Sequence, residues 1–153
     1  MLHLHINHKD LQSEKRKVIE NIRRKEDILT GKNILVVDDD VRNLFALTTV
    51  FERYNINVIT AESGKEAINI IREDNPKIDM VLMDIMMPEM DGYETTQKIR
   101  REHKNSSLPI IAVTAKAMKG DRQKCIEAGA SDYITKPLKI DQLLSLMRVW
   151  FYK

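Results

Sequence analysis

Four apolar runs in this sequence end on side chains that can do chemistry. "ILVV" runs into Asp38-Asp39-Asp40, "VLM" into Asp84, "IIAV" into Thr114, and "DYIT" into Lys136. Carboxylates packed together repel one another when ionised. A hard divalent cation removes that conflict, and oxygen donors with no His or Cys nearby favour Mg²⁺. An ammonium and a hydroxyl beside a further carboxylate complete a phosphoryl-transfer site. Charge on the three equatorial oxygens would be met by Mg²⁺, Lys136 and Thr114, and Asp84 would be the nucleophile that forms an acyl phosphate. Taken singly, each residue has a plainer reading. An Asp that closes a strand is most often a turn or cap residue, and most lysines are solvated. It is the set, in this chain order, that turns cannot account for.

Such a set has to be assembled by its elements. Short runs at 33–37, 57–61, 78–83, 108–114 and 132–135 read as strands, the first as one buried on both faces. Between them and after them, 41–54, 63–73, 92–102, 119–129 and 141–151 have helical spacing. Ser63 with Glu66 makes a capping-box pattern, Asp91 suits an N-cap, and Gly129 suits the residue after a helix. Five strands alternating with five helices predict a doubly wound α/β domain with a parallel sheet and helices on both faces. In such sheets ligands bind outside the C-terminal ends of the strands. Asp38–Asp40, Asp84, Thr114 and Lys136 all fall at those ends. The second strand ends on Ala61 and contributes nothing polar.

The chain has 153 residues and a net charge of +2. Residues 1–33 hold eight Lys/Arg against five Asp/Glu, and the remainder seventeen against eighteen. That asymmetry is too weak for a nucleic-acid footprint. No apolar run approaches the roughly 20 residues that span a membrane, and the start "MLHLHINHKD" lacks the parts of a secretory signal. The single Cys125 forms no internal disulfide, which fits a cytoplasmic setting. Upstream of the strands, 13–29 reads as a charged helix with a thin apolar stripe of Val18, Ile19, Ile22 and Leu29, stopped by Thr30-Gly31. It suits a solvated connector, or one strand of a short coiled coil.

The motifs "ILVVDDD", "VLMDIMMPEMDG", "PIIAVTA" and "DYITKP" resemble those of the response-regulator receiver domain. The resemblance covers about residues 32–151 and is closest to receivers at the C-terminus of hybrid sensor histidine kinases. It implies a flavodoxin-like sheet of order 2-1-3-4-5, with residues 1–31 an N-terminal segment and linker helix and 32–153 the receiver. It implies that Asp84 accepts a phosphoryl group from a phosphohistidine, on a histidine kinase or a histidine phosphotransfer protein. Asp38 and Asp39 would be the acidic pair, Asp39 binding Mg²⁺ directly and Asp38 through water, with Met86 lending a backbone carbonyl. Thr114 and Lys136 would hold phosphoryl oxygens, Tyr133 would be the switch aromatic, and the Lys136-Pro137 bond would be cis. Such a domain catalyses only its own phosphorylation and dephosphorylation. The parent kinase could be membrane-anchored although this segment touches no membrane, and a weak homodimer is compatible with the family. Met86 and Lys116 stand where family members carry side chains that influence hydrolysis, and neither is an obvious base or amide.

Two rivals share some of these features. An aspartyl-phosphate phosphatase also uses a strand-terminal Asp and Mg²⁺, but wants a second Asp where Met86 stands, and a lid domain. A binding-only pseudo-receiver would have lost Asp84 or Lys136. Weaker signals read plainly. His3, His5 and His8 lie in a terminus, Cys125 reads as a buried thiol, and Met80, Met83, Met86 and Met87 as core and loop packing. Met147, Trp150 and Phe151 read as partly core-facing.

Overall fold

The computed structural model describes residues 13–16, 27–115 and 120–152. Five strands, β1 (Asn33–Val37), β2 (Asn57–Ala61), β3 (Met80–Asp84), β4 (Ile110–Thr114) and β5 (Asp132–Thr135), form one sheet of order β2-β1-β3-β4-β5. Every neighbouring pair is parallel. The helices are α1 (Val41–Glu52), α2 (Gly64–Glu73), α3 (Gly92–Arg101), α4 (Asp121–Ala128) and α5 (Ile140–Tyr152). Strand side chains alternate between faces, and the core divides accordingly. Ile34, Val36, Met80, Leu82, Ile111 and Val113 pack against Leu44, Leu47 and Phe51 of α1 and Leu143, Leu144 and Met147 of α5. Leu35, Val37, Val81, Met83 and Ile110 face Ala67, Ile68 and Ile71 of α2 and Ile99 of α3. Leu29, upstream of β1, is fully buried in the first of these layers.

The five expected strands and the five helices that follow them all form, and their ends move by a residue or two. β4 begins at Ile110 because Pro109 has no N–H for the ladder; it offers only its carbonyl, to Val81 N at 2.9 Å. β3 begins at Met80, since Asp79 is turned to accept from Asn33 N at 2.8 Å. It runs one residue further than expected, so that Asp84 pairs with Val113 inside the sheet. Two helix starts are capped as expected, Ser63 accepting from Glu66 N and Asp91 from Glu94 N, and Asp40 caps α1 by accepting from Arg42 N. Gly129 closes α4 at φ 109, a conformation in which a side chain would be strained. Of the helix expected over 13–29, residues 13–16 are helical and 28–31 form a turn. The rest, like His3, His5, His8 and Lys116, lies outside the described residues.

Candidate active site

Parallel strands put all their C-terminal ends on one edge, and β1 and β3 are adjacent there. Asp38 follows β1 and Asp84 closes β3; both are buried, while Asp39 is exposed. Carboxylate oxygens of Asp38, Asp39 and Asp84 all lie within 4.8 Å of one another. Lys136, just past β5, reaches back over the edge. Its Nζ is 3.4 Å from Asp84 Oδ1 and 3.6 Å from Asp38 Oδ2.

Backbone and neighbours fix the carboxylates further. Asp38 Oδ1 accepts from Asp40 N at 2.9 Å, and Oδ2 from Asn43 Nδ2 at 3.1 Å. Met86 N, whose side chain is exposed, donates to Asp84 Oδ1 at 3.4 Å. The sharp turn after Asp84 needs Gly92, because a Cβ there would collide with the Asp84 carbonyl oxygen and with Ile85. Burial, with the neighbouring Asp38 charge, pushes the Asp84 carboxyl up to about 6, against the pull of Lys136. One ammonium, paired with two of the three clustered carboxylates, leaves the site short of positive charge. An all-oxygen donor set in that condition fits a hard divalent cation.

On the other side, Thr114 ends β4 and is buried. Register places it one step beyond Val113, the partner of Asp84. Its carbonyl accepts from Lys136 N at 2.7 Å, tying the ends of β4 and β5 together. Tyr133 is half-buried and packs on Ile85, Ala112, Cys125 and Ala130. The Lys136-Pro137 bond is cis as expected, and so is Asn75-Pro76, which nothing in the sequence reading marked. Asn43 was also missed: its only signal is a place in the first turn after the acidic run. Asp40, grouped with the acidic run, is the α1 cap and an ion-pair partner of Arg42 at 2.9 Å.

The family model for the response regulator receiver domain matches residues 34–148. The chain belongs to the response-regulator receiver domains. Among solved structures, this receiver is similar to that of the sensor histidine kinase PA1611 from Pseudomonas aeruginosa, which holds a magnesium ion in its active-site cleft. Identity is 32%, TM-score 0.72, and 81% of this chain and 100% of that one are covered. It is similar to the sensor protein GacS of Pseudomonas syringae, 38% identical over 120 residues; that match takes in 76% of this chain but 13% of GacS. It is also similar to the Ssk1 receiver of Saccharomyces cerevisiae, solved with the histidine phosphotransfer protein Ypd1, at 27% identity and TM-score 0.74, covering 82% and 92%. The receiver thus spans a small part of the sensor kinase it matches. Its acidic cluster is of the kind that accepts a phosphoryl group with Mg²⁺. No helix among the described residues is long and apolar enough to cross a membrane.

Proposed function

We propose that Asp84 takes a phosphoryl group from a phosphohistidine, and that this receiver is one module of a hybrid sensor histidine kinase. The observation that carries the assignment is the buried Asp84 carboxylate, with Lys136 Nζ at 3.4 Å and the Asp38 and Asp39 oxygens within 4.8 Å. An Asp84 oxygen attacks phosphorus, the phosphorus–nitrogen bond breaks, and the imidazole nitrogen leaves with the electron pair. Asp38, Asp39, Asp84 and the Met86 carbonyl are suited to hold Mg²⁺, which supplies positive charge to the phosphoryl oxygens. Lys136, freed from its two carboxylates, pairs with one phosphoryl oxygen and the Thr114 hydroxyl donates to another. Drawing Thr114 toward the phosphoryl group vacates space beside β4, into which the Tyr133 ring turns fully.

The donor is a histidine kinase domain or a histidine phosphotransfer protein, the latter being the kind of partner on the similar Ssk1 receiver. Exposed Val41, Phe45 and Met86 stand on the elements that flank Asp84 and supply an apolar contact for it. Residues 1–31 join the kinase core to the receiver, and the last of them, with Asp27 and Leu29, pack onto the receiver itself. Incubation with a phosphohistidine-bearing donor domain, Mg²⁺ and labelled phosphate tests the reading. Label moves to the wild type and not to Asp84→Asn. Equal labelling of the two, or none of the wild type with Mg²⁺ bound, overturns it.

A further inference from the structure

The stretch just before β1 is clasped to α5. Arg148 Nη2 is 2.7 Å from Asp27 Oδ2, and Arg148 Nε donates to Oδ1 at 3.2 Å, a two-pronged pair. Asp27 also accepts from Leu29 N at 3.1 Å. The Asp27 side chain is 12% exposed, so the pair is shielded more than an ordinary surface bridge. Leu29 is fully buried in the layer that holds Leu143, Leu144 and Met147 of α5, and Lys32 Nζ sits 5.2 Å above the Phe151 ring.

The opposite side of α5 holds β5. Residues two apart on a helix point about 200° apart, so Trp150 faces away from Arg148. Trp150 Nε1 donates to Asp132 Oδ2 at 3.0 Å, while Asp132 Oδ1 accepts from Tyr133 N at 2.8 Å. Asp132 opens β5, the strand that carries Tyr133 and delivers Lys136 to the two carboxylates. β5 is an edge strand with every residue only half-buried, so its ladder to β4 alone holds it loosely.

We infer that Asp27, Arg148 and Trp150 are positioning residues: together they set the place of β5, and so of Lys136, from the chain upstream of β1. The clasp keeps the Lys136 side of the site pre-formed for a phosphoryl group, and a displacement of the upstream segment is felt there through α5. By linkage, phosphorylation changes the hold on that segment in return. The Mg²⁺ side, built on β1 and β3, meets this path only where Lys136 Nζ approaches Asp84 and Asp38, so a looser Lys136 does not weaken Mg²⁺ binding. The inference rests on the phosphoacceptor reading above.

The test uses the full chain and two titrations: Mg²⁺ alone, then beryllofluoride, a mimic of the phosphoryl group, in saturating Mg²⁺. Asp27→Asn raises the beryllofluoride Kd about fivefold or more and does not raise the Mg²⁺ Kd by more than about twofold. The exchanged pair, Asp27→Arg with Arg148→Asp, recovers beryllofluoride binding. Trp150→Phe keeps the ring but drops the N–H, and reproduces the same split should Asp27→Asn fail to fold. Overturning results are unchanged beryllofluoride binding in Asp27→Asn and Trp150→Phe, or a parallel loss of Mg²⁺ binding, which marks general damage. A wild type that binds Mg²⁺ but no beryllofluoride removes the phosphoacceptor reading, and the inference with it.

Discussion

β3 and β5 bring opposite kinds of support to one site. β3 lies at the centre of the sheet with all five residues buried, and ends on Asp84. β5 lies at the edge, half-buried throughout, and leads to Lys136. The acidic half is therefore held by two core layers, while Tyr133 and the Lys136 ammonium, which on the proposed function respond to the phosphoryl group, sit on and just past a strand with one sheet neighbour. A nucleophile and a metal site gain from fixed geometry. A switch needs an element whose position costs little to change. On the proposed function, Tyr133 on the edge strand and Lys136 just past it keep the two demands on separate strands.

The largest effect comes from the buried half. Asp84→Asn keeps the shape and removes the nucleophile, so phosphorylation by any histidine donor falls to background, read by intact mass. Next is the metal. Asp39 is exposed, so Asp39→Ala leaves the fold intact, with a stability change within about 0.5 kcal/mol, yet removes measurable Mg²⁺ binding and phosphorylation. Undiminished Mg²⁺-dependent phosphorylation of that variant would break the division drawn here.

A pH scan of the metal-free protein sharpens the same comparison. The Asp84 carboxyl stands at about 6 in the folded chain against an ordinary 3.8. The folded state thus binds the proton more tightly than the unfolded one. Stability from this group is full below about pH 4 and is lost as pH rises through 6, about 3 kcal/mol in all. Denaturant melts of the wild type in a chelator carry that slope, and Asp84→Asn lacks it. The smallest effect is made on β4 and read on the edge strand beside it. Thr114→Ala is still phosphorylated, but loses a charge-assisted hydrogen bond of about 1.5–3 kcal/mol and couples poorly to Tyr133. Ring-proton NMR of Tyr133 with and without beryllofluoride shows a shift in the wild type that is much reduced in the variant.

Much of this was legible in the chain, because each strand ends on a chemically distinct group and the helices between carry their own caps. Asp38, Asp84, Thr114 and Lys136 announce themselves by interrupting apolar runs. Asn43 does not, since an amide in a helical first turn is ordinary until Asp38 is seen beside it. The clasps were hidden for a different reason. Asp27 and Arg148 lie 121 positions apart, and Trp150 and Asp132 lie 18 apart, and no local pattern pairs a charge in a presumed connector with one on the last helix. Sequence spacing puts Leu29 on a thin stripe of that connector, whereas it is wholly buried in the core of the domain. Propensity finds elements, but only the packed fold decides which surface a short apolar stripe covers.

Chemical trapping puts the central claim to its most direct test. The full chain is phosphorylated with Mg²⁺ and a small phosphodonor and treated with borohydride, which reduces an aspartyl phosphate to homoserine, and its peptides are then weighed. The prediction is one homoserine, at position 84. Homoserine at 38 or 39 instead, or none in a sample whose intact mass shows a bound phosphoryl group, would contradict the assignment of Asp84.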